Sequence, residues 1–432
     1  MGYKSSGVTM KKWYSLIDKI YDKDNLRIAF KSVKKNHGAP GIDGETVKAF
    51  AEKLEENVEF LHQALKTKTY LPSPVRRKEI EKPDGGIRLL GIPTVKDRVV
   101  QQAVVNIIEP LFDEGFHPSS YGYRPGKSQH MAVAKAQLFI KKGLTHVVDM
   151  DLSKCFDRLD HEFIMAEVAK TISDGSVLEL IEGFLKSGVM TDGAYEPTEV
   201  GSPQGGVISP LISNIYLNVF DQKLRTNGDY RMVRYADDIR IFTRSKREAG
   251  NALAWARQIL EEEMKLKVNE EKTHITTAKA GIDFLGFRLH TNHVAINPKR
   301  IKRFKDKVRE LTKRNSGIKM ENIITSLNRF LRGWINYYRA ANIKCLCSNL
   351  MGWIRRRLRM IKMIQWKSYK AMHKELKMKG IKHNGERMDV RRWKNSNCHL
   401  IHQLLPNSWF NELGLINLEH YEVGLLSTFY KG

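Results

Sequence analysis

Tyr235-Ala236-Asp237-Asp238 stands between two runs that read as β-strands, Tyr230 to Tyr235 before it and Ile239 to Thr243 after it. The pattern predicts a hairpin whose tight turn carries both acids. Aspartate is a common turn residue, so an ordinary hairpin turn is one reading. Two adjacent carboxylates repel each other, and both stay ionised only with a cation between them, so a divalent-metal site is the other. The second reading demands a third carboxylate, a nucleotide pocket and a track for a polyanion elsewhere in the chain.

The third carboxylate lies upstream. Thr145 to Leu152 has strand-like alternation that puts Asp149 and Asp151 on one face, with Val148 and Met150 on the other. A buried aspartate is costly unless it is paired or metal-bound. Phe156 follows Asp151 after the chain should have left the strand. Arg76 to Arg88 reads as a second hairpin, turning at Lys82-Pro83-Asp84-Gly85-Gly86. It is either a solvated hairpin or a positively charged flap, with Lys82 and Arg88 as phosphate ligands. Tyr121-Gly122-Tyr123-Arg124-Pro125 is a loop whose aromatics and Arg124 either stack a base and hold a phosphate or fill a core. Gly201-Ser202-Pro203-Gln204-Gly205-Gly206 precedes a helix opening at Ser209-Pro210. Such a loop can cradle an anion or let the backbone approach a flat ligand.

Charge supplies the track. Residues 289–432 hold 30 Lys/Arg against 9 Asp/Glu, a net +21 of the chain's +25. An excess this one-sided points to nucleic acid or an anionic membrane surface. No run of about 18 apolar residues occurs, so no membrane span is expected. The polar stretch from Met1 to Lys12 lacks an apolar signal core. Four irregularly spaced cysteines suggest free thiols in a reducing compartment. Cys345, Cys347, Cys398 and His402 lack the pairing expected of a zinc set.

Helical periodicity predicts helices over residues 13–36, 45–65 and 246–264, and over Lys96 to Ile108 with an interruption at Glu109-Pro110. From Pro298 the chain is basic and helical: Ile301 to Lys313, Glu321 to Tyr338, and Trp353 to Trp366. In the last, Ile354, Leu358, Ile361 and Ile364 form an apolar stripe. Arg355, Arg356, Arg359 and Lys362 fall off the stripe and are expected to face phosphates.

These parts fit the chemistry of a polymerase. Two magnesium ions clamp the attacking 3′-hydroxyl and the leaving pyrophosphate, which requires carboxylates on rigid neighbouring strands. Asp151, Asp237 and Asp238 meet that need. Lys82 and Arg88 would neutralise the triphosphate, Phe156 would exclude a 2′-hydroxyl, and Gln204 would bond near the incoming nucleotide.

The chain resembles group II intron-encoded reverse transcriptases and maturases. The motifs run in that family's order: Gly38 to Gly44, Lys82 to Gly86 with Arg88, Gly91 to Thr94, Ser120 to Pro125, Asp149 to Asp157, Gly201 to Gly206, Tyr235 to Asp238, Phe284-Leu285-Gly286-Phe287 as the primer grip, then Arg332-Gly333-Trp334-Ile335 and Trp353 to Arg357. The resemblance implies an α+β right-hand polymerase. Its expected parts are an N-terminal extension (1–36), fingers (37–145), a palm with an antiparallel sheet (146–288), a helical thumb or maturase domain (289–380) and a basic C-terminal region (381–432). It implies two metal ions, Mg²⁺ or substituting Mn²⁺, on Asp151, Leu152, Asp237 and Asp238. Arg124, Phe284, Leu285, Gly286, Arg355, Arg356 and Arg359 are expected to contact template, primer or RNA. The implied partners are a group II intron RNA, an RNA template with a DNA primer, dNTPs and target DNA, in a bacterial cytoplasm, with a homodimer left open. The chain is expected to be a compact type without the zinc-containing endonuclease domain. A viral-type RNA polymerase, a domesticated reverse transcriptase in repair or phage defence, and an RNA chaperone with an inactive site are the alternatives; Phe156 argues against the first, and the intact acids against the last.

Overall fold

The computed structural model describes residues 12–81, 85–191, 194–197, 200–201, 205–225, 230–314, 317–366, 369–382 and 399–430. Lys82 and Gln204, both expected at the nucleotide, lie outside the described residues, as does Cys398. In chain order the strands are β1 Val75–Glu81, β2 Ile87–Ile92, β3 His146–Met150, β4 Val189–Thr191, β5 Ala194–Glu196, β6 Arg231–Tyr235, β7 Asp238–Thr243, β8 His274–Thr277, β9 Ile282–Phe284, β10 Phe287–Leu289 and β11 Val294–Ile296. Among the described residues they form three sheets, ordered β2-β1-β4-β5, β6-β7-β3-β8 and β11-β10-β9. The chain divides into two compact units: one runs to Ala132 and from Gly143 to Thr276, the other takes Val133–Lys142 and the chain from Thr277.

In the first unit, β7 pairs antiparallel with both β6 and β3, setting Val148 opposite Ile241 and Met150 opposite Ile239. Those four side chains are fully buried. The helix Lys246–Arg257 packs on β3 and β7. The helix Ser209–Arg225 buries Leu211, Ile212, Ile215, Tyr216, Leu217, Phe220 and Leu224 in the same core. Burying that many apolar side chains, at about 1.5–3 kcal/mol each, makes the central sheet the rigid part of the unit.

Local chemistry departs from periodicity in four places, one being the helix expected over 45–65, which is divided at Lys53 into Val47–Glu52 and Leu54–Lys66. The first predicted helix is two, Ile17–Ile20 and Lys23–Lys35, because the Asp22 carboxylate caps the second by accepting from the amides of Asp24 and Asn25. The helix expected to break at Glu109-Pro110 instead runs from Val95 to Asp113 with Pro110 inside it. Proline in a helix interior is worth about 3 kcal/mol against it, and burial of Ile108 and Phe112 on either side outweighs that. The helix from Lys246 widens into a π-turn at Gln258–Glu263.

The second unit corrects the reading of its arginines. The helix Lys344–Gln365 is buried along more than one stripe. Arg355 and Arg359 are only 6% and 3% exposed. Arg359 Nε donates to the Leu405 carbonyl at 2.8 Å and Nη2 to Asn407 Oδ1 at 2.9 Å, with the guanidinium over the Phe410 ring. Burial pulls its pKa down to about 10. Arg355 Nη2 lies 3.7 Å from Glu419. Neither faces phosphates: the C-terminal segment folds back over this helix and uses both. Arg356 alone of the three is exposed. Arg359→Ala should therefore lower stability by about 2 kcal/mol and Arg356→Ala by less than about 0.5 kcal/mol, read as urea midpoints; equal shifts would refute this assignment.

Candidate active site

β6 and β7 form a two-residue hairpin, since Tyr235 pairs with Asp238. The loop is Ala236-Asp237, and Asp238 is the first residue of β7. The two acids, expected together in the turn, therefore diverge. Ala236 takes a left-handed φ of 57°, uncommon for a residue with a Cβ. Asp237 lines a cavity of about 700 Å³ with Asp151, Leu152, Phe156, Arg88 and Lys272. Burial, and then the nearby Asp238 and Asp151, hold the Asp237 carboxyl above its ordinary range.

Asp151 follows β3 directly. Its carbonyl accepts from the Asn269 amide at 2.9 Å, its Oδ2 accepts from Asn269 Nδ2 at 3.2 Å, and Lys272 Nζ stands 3.5 Å away. Leu152 bridges to Val268, which steers the chain out of the sheet. The next turn, Cys155–Arg158, carries Phe156, buried against the core at the cavity's edge. At Gly205, φ +126°, a Cβ would stand 2.4 Å from the Gly91 carbonyl oxygen, so the backbone there passes close to β2.

Asp238 does not line the cavity. Its Oδ1 accepts from Arg240 Nη1 at 2.5 Å, and the same nitrogen is 2.9 Å from Asp149 Oδ1. Asp149 and Arg240 are cross-strand partners on β3 and β7. Burial pushes the Asp149 carboxyl up to about 6 against the pull of Arg240. Among the described residues, no group of three or more Asp, Glu, His or Cys stands arranged to hold an ion.

Arg124 departs from its expected contact with template. Its side chain is 6% exposed: Nε bonds Asp113 Oδ1 at 2.5 Å, Nη2 the Asp113 carbonyl, and Nη1 the carbonyls of His117 and Ser120. Of the two readings of that loop, Arg124 follows the core one. Phe284 is likewise buried. Leu285 and Gly286 form the β9–β10 turn, both at positive φ, with the Leu285 carbonyl accepting from Tyr337 Oη at 2.8 Å. Leu285 lines a groove of about 500 Å³ in the second unit with Arg300, Arg329, Phe330, Trp334 and Tyr337.

Residues 80–289 match the family described as reverse transcriptase (RNA-dependent DNA polymerase), and residues 301–380 the group II intron maturase-specific domain. Protein YkfC of Escherichia coli (strain K12) is 34% identical over 287 residues, 58% of this chain and 75% of that one. The chain belongs to the group II intron reverse transcriptases. The intron-encoded protein LtrA of Lactococcus lactis subsp. cremoris is 37% identical over 205 residues, 46% of this chain but only 33% of LtrA. Among solved structures, telomerase from Candida albicans aligns over 78% of this chain and 69% of that one, at 12% identity and a TM-score of 0.43.

In this reverse transcriptase, sequence reasoning missed Arg240, Asn269 and Lys272. Arg240 sits inside the predicted strand Ile239 to Thr243, Leu266 to Asn269 reads as a turn, and Lys272 opens a predicted strand to Thr276, so none of the three stands out. For Arg240 the available signal was register: it stands two places after Asp238 and directly opposite Asp149 on the paired strand. No helix of the described chain is long and apolar enough to cross a membrane.

Proposed function

We propose that this reverse transcriptase copies group II intron RNA into cDNA at the cavity around Asp151 and Asp237, and that its second unit binds the intron RNA to promote splicing and retrohoming into target DNA. One observation carries the catalytic half: Asp151 at the end of β3 and Asp237 in the β6–β7 loop, the buried Phe156, and the cationic side chains of Arg88, Lys154 and Lys272 line one cavity.

The donor set suits magnesium, with manganese as a substitute, because it offers hard oxygens: the Asp151 and Asp237 carboxylates, the Leu152 carbonyl and, once drawn from Arg240, Asp238. Burial first, and then the neighbouring Asp238 and Asp151, raise the Asp237 carboxyl, and a bound dication would favour its charged form. When bound, the metal supplies charge stabilisation for the attacking 3′-hydroxyl and the leaving pyrophosphate. Arg88 and Lys272 carry positive charge to the triphosphate. Asn269 fixes the Asp151 carboxylate, and Arg240 keeps Asp238 from repelling Asp237. Phe156 fills the space a ribose 2′-hydroxyl would need.

For the RNA-binding half, support comes from the maturase-specific match and the groove that combines Arg300 and Arg329 with Phe330, Trp334 and Tyr337, a mixture suited to single-stranded nucleic acid. Work in the cytoplasm of a bacterial cell fits the relatives from Escherichia coli and Lactococcus lactis.

Primer extension on an RNA template tests the reading. The wild type should incorporate dNTPs and reject NTPs, and Phe156→Ala should raise NTP use by roughly 10–100-fold. Failure of the wild type to incorporate dNTPs would overturn the polymerase; unchanged discrimination in the variant would remove Phe156 from sugar selection.

A further inference from the structure

The turn that presents Asp237 rests on a buried ion pair that the chemistry does not touch. Arg234 of β6 and Asp221 of the Ser209–Arg225 helix are both fully buried, with 0% of either exposed. Arg234 Nε lies 2.8 and 2.9 Å from the two Asp221 carboxylate oxygens, and Nη2 lies 2.6 Å from Oδ2. That fork fixes the guanidinium plane. The remaining nitrogen, Nη1, donates at 3.0 Å to the Ala236 carbonyl and at 3.0 Å to Asn214 Oδ1. Asn214 in turn donates from Nδ2 to the Gly122 carbonyl at 2.9 Å.

A buried ion pair is weak evidence of stabilisation, since desolvation offsets most of the attraction. What distinguishes this one is the destination of Nη1. The Ala236 carbonyl belongs to the planar peptide that leads into Asp237, so holding that oxygen fixes the direction in which the Asp237 residue leaves the turn. Ala236 sits in an uncommon left-handed conformation, which persists only where surroundings impose it.

We propose that Arg234, held by Asp221 and Asn214, is the positioning residue that aims Asp237 into the cavity. This rests on the polymerase reading of Asp237. It predicts a defect in metal affinity and in the chemical step, with primer–template binding intact.

Two variants test it. Arg234→Lys keeps a charge opposite Asp221 but has no planar fork to reach the Ala236 carbonyl. Arg234→Met with Asp221→Leu removes the pair without leaving a buried charge alone. Each is measured for melting, primer–template Kd, kcat and dNTP KM per folded molecule, and Mn²⁺ affinity by electron paramagnetic resonance without substrate. The expected result is Mn²⁺ binding weakened about tenfold and kcat lowered roughly 10²-fold, with primer–template Kd unchanged. Wild-type Mn²⁺ affinity and kcat in the folded fraction of either variant would overturn the proposal. A wild type that binds Mn²⁺ but never incorporates dNTPs would instead overturn the polymerase reading.

Discussion

Asp237→Asn is expected to lower single-turnover dNTP incorporation by about 10³-fold, whereas Asp238→Asn loses about tenfold. The substitution keeps shape and removes charge, so it isolates electrostatics. Asp237 lines the cavity with Asp151, and burial first, then the nearby Asp238 and Asp151, raise its carboxyl. Asp238 starts a strand, points outside that cavity and already has a counter-ion in Arg240. Its loss also leaves Arg240 its partner Asp149, 2.9 Å away, so no buried cation is stranded. Rapid-quench primer extension with both variants, against one primer–template, decides the matter. Equal losses would refute the ranking of the two acids.

Gly122→Ala comes next in size. A Cβ at Gly122 would stand 2.3 Å from the Ala236 amide nitrogen and 3.0 Å from the Tyr235 carbonyl carbon. Both are backbone atoms of the β6–β7 hairpin, which cannot rotate aside as a side chain can. The loop carrying Gly122 is itself tied down, because the Tyr121 amide donates to the Arg234 carbonyl and the Arg234 amide to that of Ser119. The hairpin must move, and a displacement near 1 Å at a reacting group lowers turnover by roughly 10²-fold. Overpacking of this kind also lowers stability by about 1–3 kcal/mol. Gly250→Ala is the control: it lies in the Lys246–Arg257 helix with nothing within 4 Å of a new Cβ. There, alanine should gain up to about 1 kcal/mol and leave kcat alone. Wild-type turnover in Gly122→Ala would show that the turn does not need its position.

The hairpin, the strand before Asp151 and the α+β class were legible because period-two alternation in half-buried strands leaves a local trace in the sequence. The family motifs extended that reading across the chain. What stayed hidden depends on partners far along the chain. Arg234 looks like one more polar strand residue until the helix thirteen positions upstream delivers Asp221. Arg355 and Arg359 lie off the apolar stripe of their helix, where a solvated face is the natural expectation. Leu405, Asn407 and Glu419 turn that face inward, and no periodicity within the helix announces it. Arg124 shows the converse: its two readings stood level, and the carbonyls of Asp113, His117 and Ser120 decided between them. At Pro110 the propensity rule was sound, and the packing of a mostly buried helix overrode it.

The dry ion pair beneath the acids has a thermal consequence. Hydration of charged groups becomes less favourable as water warms, so the penalty for keeping Asp221 and Arg234 out of solvent shrinks, while apolar burial gains little more. Warming therefore leaves the tether under the turn relatively stronger. Heat resistance is better sought by engineering the β1–β2 hairpin, where Ile80 and Ile87 lie 45% and 59% open to water, than by repacking the buried pair beneath the turn.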